Sequence, residues 1–250
     1  MSTSFNYHQS LGAYGTIPLE VAIQRAIFEP NVDPVLGKIG SDKLQICPQN
    51  RSRLTEDVCT AIVEKYPKVE FRLHANVRVQ EHPRIVDIAD LKIEKDWFLQ
   101  AARLSKALNA KAYTAHAGKR ASASLSQVFE YTKEIEQMFG IPVGVEGHYP
   151  TDRGVWLLDS WEEYKEMLES EVKYALDLSH LNILYHQSGR LEESLVKELL
   201  SSDMCIEIHV SDNDGISDRH LPIKEEPWWF PLLPFSNESA DIFYEGKCPI

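Results

Sequence analysis

Basic residues are in short supply: 26 Lys and Arg stand against 38 Asp and Glu, a formal net charge of −12. A surface this acidic repels a nucleic-acid backbone unless a basic patch or bound cations reverse the field locally, so DNA is disfavoured as a partner. Cysteine is scarce as well. Cys47, Cys59, Cys205 and Cys248 show no CxxC spacing and read as reduced thiols of a cytoplasmic protein, two of them in strands. The start of the chain, Met1 to Tyr7, has neither a basic stretch nor an apolar one, so no secretory signal is expected. No apolar run approaches the roughly 20 residues of a membrane span, and no membrane partner is expected. The most apolar stretch runs from Trp228 to Phe235, and its prolines, Pro231 and Pro234, exclude a helix there. Linkers, low-complexity stretches and fixed-period repeats are missing too. A dinucleotide-binding GxGxxG is also missing, because Gly12-Ala13-Tyr14-Gly15 has the wrong spacing, which weakens the case for a doubly wound sheet.

What is present is a globular composition: 250 residues, 43% hydrophobic and 10% aromatic, enough for one large α/β domain over residues 1–250. Short β-rich runs alternate with segments of helical period, the mark of βα units on a parallel sheet. Strands are expected at Lys43–Pro48, Val69–Ala75, Lys111–His116, Ile141–Gly147, Val172–Leu178 and Met204–Val210, with weaker ones at Ser4–His8 and Asp241–Glu245. Helices are expected at Pro18–Ile27, Thr55–Tyr66, Lys95–Leu108, Ser124–Phe139, Ser160–Leu168 and Glu192–Leu200, where apolar residues recur every three or four positions. Eight strands separated by helices predict a single (β/α)8 TIM barrel.

The polar residues then fall in a pattern. His8, His74, His116, Glu146, Asp177, His209 and Glu245 stand at the C-terminal ends of expected strands, and His180, Asp218 and His220 follow shortly after. That rim is where a barrel builds its active site, because all eight strand ends converge there. Taken singly, each has a plain structural use: His8 as a hydrogen-bonded ring, Glu146 as an arginine partner, Asp177 as a helix cap. Taken together, so many imidazoles and carboxylates on one rim need cations to balance them. Asp218 and His220, two apart on an extended segment, point the same way, while Arg219 points elsewhere; Asp212 and Asp214 read as turn residues. Imidazole plus carboxylate without thiolate suits zinc first, with manganese or iron next, and does not suit calcium or magnesium.

The ordered set His74 (RLHAN), His116 (TAHAG), Glu146 (VGVEG), Asp177 with His180 (LDLSH), His209 (IHVSDN), Asp218 with His220 (SDRHLP) and Glu245 (YEGK) resembles the xylose-isomerase-like TIM barrels. Within them it is most similar to the endonuclease IV branch, AP endonuclease family 2, whose members hold three zinc ions. The resemblance implies that Glu146 bridges two metals and that Asp177 and His209 share one of those sites. It implies that Asp218 and His220 hold the third ion, and that His74, His116, His180 and Glu245 complete the shells. The sequence departs from that branch after His74, where Ala75-Asn76-Val77-Arg78 lacks the aromatic that wedges into DNA. Basic residues near the rim are few: Arg51, Arg53, Arg78, Lys119, Arg120, Arg153 and Arg219.

Two enzyme classes follow from this set. One is a phosphoester hydrolase with up to three ions, acting on a small phosphorylated or sugar-like substrate or on DNA. The other is a mononuclear sugar isomerase or epimerase, in which Glu146 and Glu245 form the acid/base pair. A barrel that only binds metal is a third, non-catalytic possibility. The number of ions separates the first two.

Overall fold

A computed structural model describes residues 6–81, 84–151 and 154–248. Ser4, Phe5, His82 and Arg153 lie outside the described residues. The chain builds β1 (Tyr7–Ser10), β2 (Asn31–Asp33), β3 (Gly37–Ile46), β4 (Glu70–Leu73), β5 (Tyr113–His116), β6 (Val143–Glu146), β7 (Tyr174–Asp177), β8 (Cys205–Val210) and β9 (Asp241–Tyr244). The helices are α1 (Leu19–Phe28), α2 (Glu56–Lys65), α3 (Lys95–Ala107), α4 (Leu125–Phe139), α5 (Trp161–Glu169), α6 (Leu178–Ser188) and α7 (Glu193–Ser201). Except for β2, which runs antiparallel to β3, the strands pair in parallel in the order β4-β3-β1-β9-β8-β7-β6-β5. An isolated parallel bridge between His74 and Thr114 joins β4 to β5 and closes the ring. The architecture is the α/β TIM barrel expected from the alternation of elements.

Alternation along the strands divides the barrel into two environments. Outward residues such as Leu44, Phe71, Val143, Val145, Leu176 and Ile208 are buried in the hydrophobic core that lies between strands and helices. Inward residues are polar and touch one another across the barrel: Gln45, Arg72, Thr114 and Glu207 are all buried there. Strand register then sets up the rim. It places His116 beside Glu146 and Asp177 beside His209, while the Glu245 amide bonds the Val210 carbonyl at 3.0 Å.

Local chemistry accounts for several boundaries. Ser124 and Gln127 form a reciprocal capping box at the start of α4, and Thr55 and Ser160 cap α2 and α5. Gly140 ends α4 and Gly189 ends α6 in the left-handed conformation, where a Cβ is costly.

Four features depart from the sequence reading. Helix α6 begins directly at the end of β7, with Asp177 as its cap, and two helices therefore separate β7 from β8. The β2–β3 hairpin was not anticipated, because β2 is only three residues long. His8 does not stand at the C-terminal rim: it lies within β1, its ring 3.2 Å from Asp42 and 3.9 Å from Asp241, the first residue of β9. Phe230–Phe235 is a short 3-10 helix despite two prolines, since Pro231 occupies its first turn, where no amide partner is needed. Trp229, Leu232 and Leu233 are buried against the helical layer, and the Trp228 indole donates to Asn182 on α6 at 3.0 Å. This aromatic loop packs on the barrel flank and lines none of the central cavity. Among the described residues, no helix is long and apolar enough to cross a membrane.

Candidate metal centre

At the C-terminal mouth of the barrel lies a cavity of about 180 Å³, lined by His74, His116, Glu146, Asp177, His180, Asp218, His220 and Glu245, with Ser10, Cys47 and Gln49 on the opposite wall. His209 sits against the same carboxylates from below and is fully buried. All nine residues that the sequence singled out as ligands therefore converge. Glu146 is central: its Oε2 is 3.5 Å from His74 Nε2, and its Oε1 is 3.7 Å from His116 Nε2 and 3.4 Å from His209 Nδ1. His180 Nε2 lies 3.4 Å from both Asp177 and Asp218. His220 Nε2 is 3.0 Å from Asp218, and its Nδ1 is 3.6 Å from Glu245.

The backbone delivers these groups in specific ways. Asp177 Oδ1 caps α6 by accepting from the amides of Ser179 and His180 at 2.6 and 3.1 Å, which leaves Oδ2 for the cavity. His180, on the first turn of α6, contacts the Gly147 carbonyl through Nδ1 at 2.9 Å. Carbonyls only accept, so Nδ1 carries a proton, and Nε2 is the nitrogen turned to the two aspartates. Gly147 is required where it is: a Cβ there would stand 2.2 Å from the Tyr164 hydroxyl. Ala75 (φ 50°) and His220 (φ 47°) both adopt the left-handed conformation. His220 therefore joins Asp218 through a turned backbone, not the extended one assumed from their spacing. Arg219 points away, 3.4 Å from Asp214.

The electrostatics of the site favour bound cations. Burial opposes the charge on Glu146, but His209, His116 and His74 hold its carboxyl well below the usual range. Burial likewise opposes protonation of His209 and His180, and neighbouring carboxylates overcome it, raising both well above an ordinary imidazole. Burial pushes Glu245 up to about 7 and lowers His74 to about 3. Glu146 Oε2, Asp177 Oδ2, His209 Nδ1 and His220 Nδ1 are buried without a hydrogen-bond partner. Unpaired buried atoms of this kind are costly, and these four belong to residues of the candidate ligand set. Two ligand atoms of one tetrahedral zinc stand about 3.3 Å apart, given bonds of roughly 2.0–2.1 Å. Most of the separations above are within a few tenths of that. Three groups, His74/His116/Glu146, His74/His209/Glu245 and Glu146/Asp177/His209, each bring their ligand atoms within 4.8 Å. The residues present fit divalent cations.

Several neighbours of the site escaped the sequence reading. His148 stacks between His116 (4.8 Å between centroids) and Trp156 (4.4 Å), with the Lys119 ammonium 5.6 Å from the Trp156 ring centroid. Beneath His209 lies Glu207, fully buried. Burial opposes its charge, but His209, Arg72 and His74 lower its carboxyl to about 2. Its position two residues before His209 in a strand was the available signal. A second cavity of about 300 Å³ shares Pro48 and Gln49 with the first and is walled by Arg51, Arg78 and Arg84. Arg84 is paired with Glu94, whereas Arg78 meets only backbone carbonyls and Arg51 has no carboxylate partner among the described residues. Elsewhere on the rim, Arg120 is neutralised by Asp159 and Glu163.

By sequence, no family model and no curated protein matches this chain. By structure, it resembles a D-tagatose 3-epimerase-like protein over 98% of this chain and 92% of that one, with a TM-score of 0.68 at 19% identity. It also resembles an AP endonuclease, family 2, from Brucella melitensis (97% and 93% covered, TM-score 0.63, 14% identity). A third similar structure is an IOLI protein with a zinc atom (97% and 90% covered, TM-score 0.64, 11% identity). The fold is that of the xylose-isomerase-like TIM barrels.

Proposed function

We propose that this protein is a metal-dependent phosphoester hydrolase with a multinuclear, zinc-preferring centre. The observation that carries this reading is the second carboxylate–imidazole cluster, in which Asp218 stands between His180 and His220 at 3.4 and 3.0 Å. A single ion held by Glu146, Asp177, His209 and Glu245 would leave this cluster outside its shell, with only sugar hydroxyls to contact. On this reading Glu146 is shared between the His74/His116 side and the Asp177/His209/Glu245 side, while His180, Asp218 and His220 hold a further cation. When bound, such cations supply an acidified water near neutral pH and stabilise the charge that develops on a leaving oxygen. Four site carboxylates against three divalent cations leave the centre positive, as a phosphate group requires.

The chain's own residues contribute orientation and exclusion. Arg51 and Arg78, beside the cavity and without carboxylate partners among the described residues, are placed to take the anionic part of a substrate. The Cys47 thiol on the cavity wall does not compete as a nucleophile, because burial pushes it up to about 12. With so few unpaired cations, a small phosphorylated or sugar-like substrate suits the site better than duplex DNA.

A sugar isomerase or epimerase is the second reading. The similar D-tagatose 3-epimerase-like structure favours it, as do Glu146 and Glu245, which approach the same His209 nitrogen at 3.4 and 3.9 Å. Metal analysis of purified protein, paired with assays on small phosphoesters, an abasic-site duplex and ketoses, separates the two. About three ions per chain with phosphoester turnover is the expected result. One ion with ketose turnover would replace this reading with the second.

A further inference from the structure

We infer that Glu207 is a positioning residue that fixes the ring tautomers of His209 and His74 at once, on both sides of Glu146. The inference rests on the metal-centre reading and extends it to a residue below the cavity. Glu207 Oε2 accepts from the Arg72 guanidinium at 2.9 Å, an ion pair buried on both sides. Its Oε1 accepts from the Gln45 amide at 2.7 Å and from the Thr114 hydroxyl at 2.6 Å, and contacts His209 Nε2 at 2.7 Å.

A carboxylate paired with a guanidinium offers only lone pairs. The nitrogen 2.7 Å from it must therefore carry a proton, so His209 keeps N–H on Nε2 and leaves Nδ1, facing Glu146 and Glu245, as the nitrogen that would give up its proton to a cation. Gln45 also approaches His209 Nε2 at 3.2 Å. A bare Nε2 could accept there, but it would then set its lone pair against the Glu207 oxygen.

The same logic reaches His74 through Thr114. The threonine hydroxyl has one proton, which goes to Glu207. Towards His74 Nδ1, 2.9 Å away, the hydroxyl can then only accept. His74 thus holds its proton on Nδ1 and turns a bare Nε2 to Glu146 Oε2. Partners outside the ligand set that orient metal-binding histidines typically contribute 10- to 100-fold in metal affinity.

The test compares zinc affinity, by competition with a chromogenic chelator, in wild type, E207Q, T114V and T114S. It adds nitrogen-15 NMR of the ring nitrogens in the zinc-loaded protein. Glutamine at 207 must aim N–H groups at neighbours that are themselves donors, so E207Q is expected to weaken zinc binding roughly 10- to 100-fold. T114V, which removes one donor to Glu207 but keeps the Arg72, Gln45 and His209 contacts of that carboxylate, is expected to weaken chiefly the ion contacted by His74, and T114S is expected to behave as wild type. The spectra should retain N–H on Nε2 of His209 and on Nδ1 of His74. If E207Q does not fold, T114V with the wild-type spectra decides the matter. Wild type that takes up zinc while T114V binds it equally, or protons on the opposite nitrogens, overturns the positioning role alone. Wild type that takes up no zinc overturns the metal-centre reading along with it.

Discussion

Glu146 is nearly inaccessible to solvent, and among the described residues imidazoles balance its charge. Replacing it with glutamine preserves shape while removing a charge that two cations would share. Glu146→Gln is expected to reduce bound zinc after dialysis by more than about 100-fold, beyond the usual effect of an outer partner, with the thermal transition of the chelated protein unchanged. Unchanged metal content would make Glu146 a structural carboxylate. A second expectation concerns His220. Burial opposes its protonation, but Asp218 and Glu245 raise it from the ordinary 6.5 to about 9. A raised histidine stabilises the metal-free fold fully below pH 6.5, and that contribution disappears as pH climbs through 9. The thermal midpoint of metal-free protein should accordingly fall across this window. Zinc must displace the same proton, so calorimetry in buffers of different ionisation enthalpy should register proton release at pH 7 and less of it above pH 9. At this scale much was legible in the sequence: strand-end position picked out His74, His116, Glu146, Asp177, His209 and Glu245, and His180, Asp218 and His220 followed shortly after strand ends. It failed for His8, which a short β1 carries to the other side, and for Glu207 and His148, whose importance depends on neighbours from other strands.

Helix α6 shows how one element serves two purposes. Asp177 closes β7, caps α6 with one oxygen and offers the other to the cavity, while the first turn of the helix presents His180. Asparagine caps about as well as aspartate, but alanine costs about 1 kcal/mol of helix stability. In chelator, Asp177→Asn should melt near wild type and Asp177→Ala a further 2–4 °C or so lower, the shift that such a loss produces in a chain of this size. Both should lose zinc affinity, and equal melting of the two variants would argue against the capping role. Little of this element was visible beforehand. The segment after Asp177 buries polar Ser179 and His180 alongside its leucines, so it lacks the amphipathic period that marked α3 or α4. The aromatic loop misled for a related reason: proline forbids the interior of an α-helix but not the first turn of a 3-10 helix.

Across the whole molecule, charge decides which partners can approach. An overall −12 with few unpaired cations near the mouth predicts weak duplex binding at physiological salt, with a shallow dependence on ionic strength. Titration of an abasic-site duplex at several salt concentrations measures both quantities, and tight binding with a steep slope would show that Arg51, Arg53 and Arg78 suffice to grip it. The alternation of elements made the barrel legible, since eight strand-like runs separated by helical ones leave few alternatives. Its closure was not legible, because no local pattern says where the last pair of strands meets. That seam has a mechanical consequence. Among the described residues one isolated bridge, at His74 and Thr114, joins β4 to β5, while fuller ladders join the other neighbours. A cation gripped by His74, His116 and Glu146 would span β4, β5 and β6 and act as a clasp on the loosest stave of the cask. Loading the centre would then tighten the hoop where the backbone holds it least.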